Sequence, residues 1–375
     1  MNRCQRLIAC INHQDVDKIP LMYRALPAVS QEIFEYFNFI GDFNENMSKL
    51  IERLCLDNLM LSKRLIYKES AKNRNTSISS TYIVPEYTGP VDESIAEVRD
   101  PELSYTWGIG TKLKSTRTHE YIEYGAVNPM KEFTTIKEIE DYPNPKLNNF
   151  DLSDVKIIPN LKNEYLFGTG VLNYLFFLCC WLRGTEKFLI DMIAEPVIAE
   201  AIVNKVGEFA VRLNRKILEH IGSELDWYFI WDDVADTEGL MFSSKLWKKY
   251  FKKWYIALFE DAKKYNLMIF FHICGNINEI LPDLIDIGVK IIDPIQTSAR
   301  DMDLKTLKKR YGKNICFHGG IDVLKFLPNA TVEEIKKYVS GAKKLFGNKG
   351  GLILGPSHVI LPQTPIKNII AIYED

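Results

Sequence analysis

The sequence predicts an α/β fold of the (β/α)8 TIM-barrel class, with a β-rich excursion after the second strand. Three observations predict it. Eight short runs rich in β-branched and aromatic residues recur along the chain. Amphipathic stretches with helical spacing separate the later ones. The runs are apolar on both faces, the pattern of parallel strands covered by helices rather than of a half-solvated antiparallel sheet. A doubly wound sheet is the alternative that the same alternation allows. Taking about 150 residues per domain, 375 residues would give two or three domains. A barrel routinely uses more than 200 as one. The reading is therefore a single barrel domain over residues 1–375, with residues 69–145 inserted within it.

The strands are expected at Ile19–Tyr23, Leu56–Leu61, Tyr165–Thr169, Trp227–Trp231, Met268–His272, Val289–Pro294, Ile315–Phe317 and Leu352–Leu354. Between the later strands, Leu246, Tyr250, Trp254 and Leu258 repeat every four residues and predict a helix over Lys245–Tyr265. Further helices are expected over Asn278–Ile287, Leu304–Tyr311 and Val332–Phe346. The last begins at Thr331, with Glu334 placed for a capping box and Gly347 placed to end it. The inserted stretch holds alternating runs (Ser77–Val84, Tyr121–Ala126) and reads as a lid or a subunit contact.

Composition narrows the function classes. The chain is 46% apolar and 26% charged, with a formal net charge of −2, so no basic field draws nucleic acid. The longest apolar run, Tyr174 to Leu182, is far short of the ~20 residues that span a bilayer. The N-terminus lacks the apolar core of a signal peptide. Seven cysteines form no framework of spacings, and a reduced, cytoplasmic setting is expected.

Barrel chemistry sits at the C-terminal ends of the strands. There the chain places Arg24, Asp232 and Asp233, His272 and Cys274, Asp293 and Gln296, His318 and Asp322, and finally His358. Three of the six histidines fall at these ends. His272 and Cys274 are two apart on one strand, so both point to one face and both can reach one zinc ion. The competing explanation is a buried apolar thiol beside a satisfied imidazole. A third ligand has two candidates, His358 and Cys316; Cys316 lies inside a strand run where a core cysteine is the simpler explanation. Asp232 and Asp233 can orient a ligand or exchange protons, or one of them can cap a helix. Arg24 can bind a substrate carboxylate or form a structural ion pair. Gly168-Thr169-Gly170 lacks a dinucleotide fingerprint's third glycine and reads as a turn.

These residues together resemble the uroporphyrinogen decarboxylase superfamily, which includes zinc-dependent, corrinoid-linked methyltransferases. The resemblance runs from Arg6-Leu7-Ile8-Ala9 and Asp17-Lys18-Ile19-Pro20 through Trp107-Gly108, Tyr142-Pro143 and Asp232-Asp233. It continues in Phe271-His272-Ile273-Cys274-Gly275, Asp293-Pro294-Ile295-Gln296 and Phe317-His318-Gly319-Gly320-Ile321-Asp322, and ends in Gly355-Pro356-Ser357-His358 and Thr364-Pro365. Porphyrinogen decarboxylases carry an arginine-rich loop after strand one and an aspartate after strand two. Here Arg24 stands alone and the second stretch reads Leu61-Ser62-Lys63-Arg64. The His-x-Cys-Gly motif belongs to the methyltransferases, where its His and Cys bind zinc.

The resemblance thus implies His272, Cys274 and His358 as zinc ligands. Thiol-methylating members have a cysteine where His358 stands. One thiolate and two neutral imidazoles make a more Lewis-acidic site, suited to polarising a leaving heteroatom. The expected activity is zinc-dependent transfer of a methyl group between a small methylated ether, amine or thiol and a corrinoid held by a partner protein. Asp232, Asp233 and Gln296 are the expected catalytic groups, and Arg24, His318 and Asp322 the substrate-binding ones. A homodimer is a family-level expectation. The alternatives are a metal-free decarboxylase-like lyase and a non-catalytic ligand-binding barrel.

Overall fold

The computed structural model describes residues 1–57, 82–83, 86–87, 107–115, 120–153, 157, 164–171 and 173–374. Three helices open the chain: α1 (Arg3–Ile11), α2 (Pro27–Tyr36) and α3 (Phe43–Arg53). Asn2 with Gln5 and Asp42 with Glu45 form capping boxes at the first and third. Short strands follow: β1 (Tyr82–Ile83), β2 (Glu86–Tyr87), β3 (Thr111–Ser115) and β4 (Glu120–Tyr124), then helix α4 (Ile136–Asp141) and strand β5 (Phe150–Asp151). From there strands and helices alternate. Strand β6 (Gly168–Thr169) leads to α5 (Leu175–Arg183), α6 (Thr185–Ala194) and α7 (Pro196–Ile221). Strand β7 (Trp227–Trp231) precedes α8 (Ser244–Tyr250) and α9 (Lys252–Lys263), and β8 (Met268–His272) precedes α10 (Leu281–Ile287). Then come β9 (Val289–Ile295), α11 (Leu304–Tyr311), β10 (Cys316–Ile321), α12 (Phe326–Asn329), α13 (Val332–Phe346), β11 (Leu352–Pro356) and α14 (Ile366–Ile370).

Seven strands form one parallel sheet in the order β1-β6-β7-β8-β9-β10-β11. Beyond β11 the sheet continues through single parallel bridges, Leu21 to Leu354 and Ala25 to Ile360. The Asp57 amide then donates to the Leu21 carbonyl at 2.7 Å. The result is a TIM-barrel-like ring of parallel strands, not closed by strand pairing among the described residues. Ile19–Tyr23 therefore joins by bridges rather than a ladder. Leu56 and Asp57 are not in a strand, and the rest of the expected second strand lies outside the described residues, as do Ser77 to Thr81.

Alternation along each strand sorts the core into two layers. Trp227, Phe229, Phe270, Ile291, Cys316 and Ile353 meet inside the ring, while Tyr228, Ile230 and Phe271 pack outward against the helices. Gly168 yields to this interior: a Cβ there would lie 2.1 Å from the Trp227 ring.

Four expected elements shift. The strand expected over Tyr165–Thr169 is confined to Gly168–Thr169. The helix over Lys245–Tyr265 is two, α8 and α9, parted at Phe251, which is fully buried against Phe176 and Phe242. The helix expected from Asn278 starts at Leu281, because Asn276 accepts from the Asn278 backbone and side-chain N–H groups in a turn. Strand β10 runs on to Ile321, through Gly319 and Gly320 at φ +106° and +97°, conformations that glycine supplies without strain. His318 is thus inside a strand rather than after one. α11 and α13 lie where expected, with Thr331 and Glu334 making the reciprocal capping bonds.

The inserted stretch is β-rich where described. β3 and β4 form an antiparallel hairpin, and β2 pairs antiparallel with β5. Its foot is held by Arg183, whose guanidinium donates to the carbonyls of Met130, Lys131 and Phe133 and pairs with buried Asp191 at 2.7 Å. No described helix is long and apolar enough to cross a membrane.

Candidate metal centre at the barrel rim

β8 ends in His272, and Cys274 follows two residues on. Ligand atoms of His272, Cys274 and His358 all lie within 4.8 Å of one another. The Cys274 Sγ stands 3.6 Å from His272 Nε2. The backbone that delivers Cys274 is constrained at both ends. Its N–H donates to Asp233 Oδ1 at 2.5 Å. The next residue, Gly275, sits at φ +90°, where a Cβ would lie 2.3 Å from the Asp236 carbonyl oxygen, so only glycine fits the turn. The Gly275 N–H donates to Gln296 Oε1 at 3.1 Å.

Asp293 organises the cluster from below. It is 1% exposed and ends the apolar run of β9, just before a cis peptide bond to Pro294. One carboxylate oxygen bonds His272 Nδ1 and takes Arg24 at 3.2 Å; the other bonds His318 Nδ1 at 2.6 Å. Burial works against its charge, but His272, His318 and Arg24 outweigh burial and hold the carboxyl well below the usual range. The contact at Nδ1 turns Nε2 of His272 toward Cys274. This is the carboxylate–imidazole arrangement that orients metal-ligating histidines.

The donor chemistry fits zinc. Burial, Arg24 and His272 lower His358 to about 4, so its imidazole is neutral and keeps a lone pair near pH 7. Burial, then Asp233 and Asp293, push the Cys274 thiol well above its ordinary value, so its thiolate calls for a cation beside it. A borderline-soft dication takes one such thiolate and two neutral imidazoles.

The other expected site residues divide. Asp233, Gln296 and Arg24 reach the cluster or its supports through the bonds above. His318 joins it through Asp293. Asp232 and Asp322 are engaged elsewhere. Asp232 is fully buried and accepts from the Phe176 and Phe177 amides at 2.8 and 3.1 Å and from the Tyr255 hydroxyl, capping α5. Burial raises its carboxyl to about 7. Asp322 accepts from the Lys325 and Phe326 amides at 2.8 Å each and caps α12. Cys316, the other candidate ligand, lies in the barrel interior, fully buried, with Sγ toward the Phe317 carbonyl. Asp293 is the functional residue that sequence reasoning left without a role; an aspartate ending an otherwise apolar strand was its signal.

A parallel-stranded barrel with a metal-competent His/Cys cluster on its C-terminal rim defines the class. The family model for uroporphyrinogen decarboxylase (URO-D) matches residues 160–374, more than half of the chain. The chain belongs to the URO-D family. Among solved structures it is similar in fold to a methyltransferase from Methanosarcina mazei, with a TM-score of 0.61 and 18% sequence identity over 99% of this chain and 97% of that one. No curated protein matches the sequence.

Proposed function

We propose that this protein is a zinc-dependent methyltransferase that moves a methyl group between a small methylated substrate and a corrinoid carried by a partner protein. The convergence of His272, Cys274 and His358 within 4.8 Å carries the reading. The fold likeness to a methyltransferase adds to it. His272, Cys274 and His358 would hold the ion, which supplies Lewis acidity toward the heteroatom that bears the methyl.

The chain's own groups do the rest. Asp293 fixes the His272 ring so that Nε2 faces the cluster, and His318 and Arg24 keep that carboxylate ionised. Asp233 and Gln296 hold the Cys274-Gly275 turn through its two amides. Arg24, about a third exposed, has guanidinium nitrogens left to receive an anionic part of a substrate. Asp232 and Asp322 act at one remove, by capping the segments that frame the mouth. In the donor-to-corrinoid direction the heteroatom–methyl bond breaks and its electron pair stays on the heteroatom. A two-electron-reduced corrinoid on the partner would be the co-substrate and would supply the electron pair with which the methyl carbon is taken up.

Protein purified without chelator should carry about one zinc per chain, lost in His272→Ala and Cys274→Ala. It should methylate reduced cobalamin from at least one donor in a panel of ethers, amines and thiols. A well-folded protein that takes up no zinc, or one that turns over a porphyrinogen instead, would overturn the assignment.

A further inference from the structure

Beside the metal cluster lies a run of aromatic rings that the reading above leaves unused. Trp231 is the register partner of His272 across the β7–β8 ladder and points into the mouth of the ring, continuing the inward row of Trp227 and Phe229. Phe177 and Trp181, one helical turn apart on α5, stack with centroids 5.3 Å apart and planes at 1°. Phe177 meets Trp231 at 5.7 Å and 53°. Tyr174 touches both Trp231 and Trp181 at 5.5 Å. Tyr124, from the hairpin of the inserted stretch, closes over Trp181 at 4.9 Å. Phe177, Trp181, Trp231 and Tyr124 are each only partly buried. Large aromatic faces left half-open beside a polar cluster mark a ligand wall more than a finished core.

The ring geometry restricts what the wall accepts. Its centroids lie about 5–6 Å from one another, the spacing of rings in direct contact. No space is enclosed between them, so this is a wall and not a box for an alkylammonium. Arg24, partly exposed on the same rim, adds a positive charge that a cationic donor would meet. A flat, uncharged or anionic ring can extend the stack instead.

We infer that the methyl donor is an aryl methyl ether whose ring stacks on Phe177, Trp181 and Trp231 while its methoxy group faces the His272–Cys274–His358 cluster. The inference rests on the methyl-transfer reading for the reaction but not for the binding. Here the aryl carbon keeps its oxygen, the oxygen–methyl bond breaks, and a phenolate leaves with the electron pair.

Titration calorimetry on the zinc-loaded protein with methoxybenzene and methoxycyclohexane separates stacking from simple apolar burial. Methoxybenzene should bind about tenfold more tightly, ~1.4 kcal/mol. Phe177→Leu or Trp181→Leu, either one suffices if the other fails to fold, should erase that preference and raise KM for methoxybenzene with little change in kcat. Equal affinity for the two ligands, an unchanged preference in both variants, or tight binding of tetramethylammonium would overturn the inference. Transfer from methanethiol or trimethylamine without any preference for the aromatic ligand would sink it and leave the methyltransferase reading standing. Aromatic-selective binding with no methyl transfer to reduced cobalamin from any donor would do the reverse.

Discussion

At the residue scale, one carboxylate governs the site. Asp293 is buried and bonded to two imidazoles and a guanidinium, so removing its charge frees the His272 ring without emptying a large volume. Asp293→Asn should weaken zinc binding by about 10- to 100-fold, read by chelator competition, with the circular-dichroism spectrum retained. Gly275→Ala should have a steeper effect for a different reason. The added methyl meets the Asp236 carbonyl at 2.3 Å in a backbone conformation that side chains avoid, at a cost of roughly 1–3 kcal/mol. Urea unfolding should show that loss, and zinc content should fall with it. His272, Cys274 and Gly275 were legible in the sequence because i and i+2 share a strand face and a glycine follows. Asp293 was visible but ambiguous: only folding shows that it faces His318 as well as His272, since strands 21 and 25 residues away in sequence must come side by side.

Elements explain what the residues cannot. Asp232 reads from sequence as one of a catalytic pair, and a capping role was the competing explanation. The cap it makes belongs to α5, 55 and 56 residues earlier, which no local pattern encodes. Its carboxyl, raised to about 7 by burial, keeps a proton that the unfolded chain has already lost above its ordinary value of 3.8. That proton's contribution to stability is complete below about pH 4 and is lost as pH rises through about 7. The loss is on the order of 4 kcal/mol. Asp232→Asn should therefore flatten the fall of Tm between pH 4.5 and 7.5. Arg183 does comparable work at the other end of α5. It is 2% exposed, and its partner Asp191 is 3% exposed. Arg183→Ala should cost about 3–5 kcal/mol by stranding that carboxylate, and Arg183→Lys should restore only part, because a single ammonium cannot serve Asp191 and the carbonyl cluster from two separate nitrogens as Nε and Nη1 do. Strand ends were harder to read than helices. β10 outruns its expected end because glycines at positive φ look like punctuation in a sequence, yet here Gly319 pairs with both β9 and β11 and Gly320 with β11.

For the whole molecule, the alternation of apolar strands and amphipathic helices was enough to give the barrel class, and the described sheet runs in chain order from β6 to β11. The position of β1 was not legible. Tyr82–Ile83 comes from the stretch assigned to the excursion, yet it pairs in parallel with β6. A two-residue strand has too little pattern to identify, and only the open edge of β6 selects it. Candidate ligands drawn from β8 and from the segment after β11 would make metal binding a property of the folded ring. Zinc at 100 times its Kd should add about 2.7 kcal/mol to stability and raise Tm by a few degrees, and His358→Ala should abolish most of that gain.

The seam between β11 and the chain around Leu21 and Ala25 also sets an order of events. Leu21 and Ala25 bridge Leu354 and Ile360, and the Tyr373 hydroxyl donates to the Met22 carbonyl. His272, Cys274 and Asp293 belong to neighbouring strands and can assemble early from nearby chain. His358 follows β11, which pairs with β10 in chain order, whereas Arg24 arrives only when segments more than 300 residues apart zip together, the kind of distant pairing that folds slowly. During refolding, the three-ligand cluster should therefore assemble before Arg24 reaches Asp293. Metal binding that precedes the arrival of Arg24 at Asp293 would mark the docking of the N-terminal segment as the later step, making the metal a clock for the order of folding.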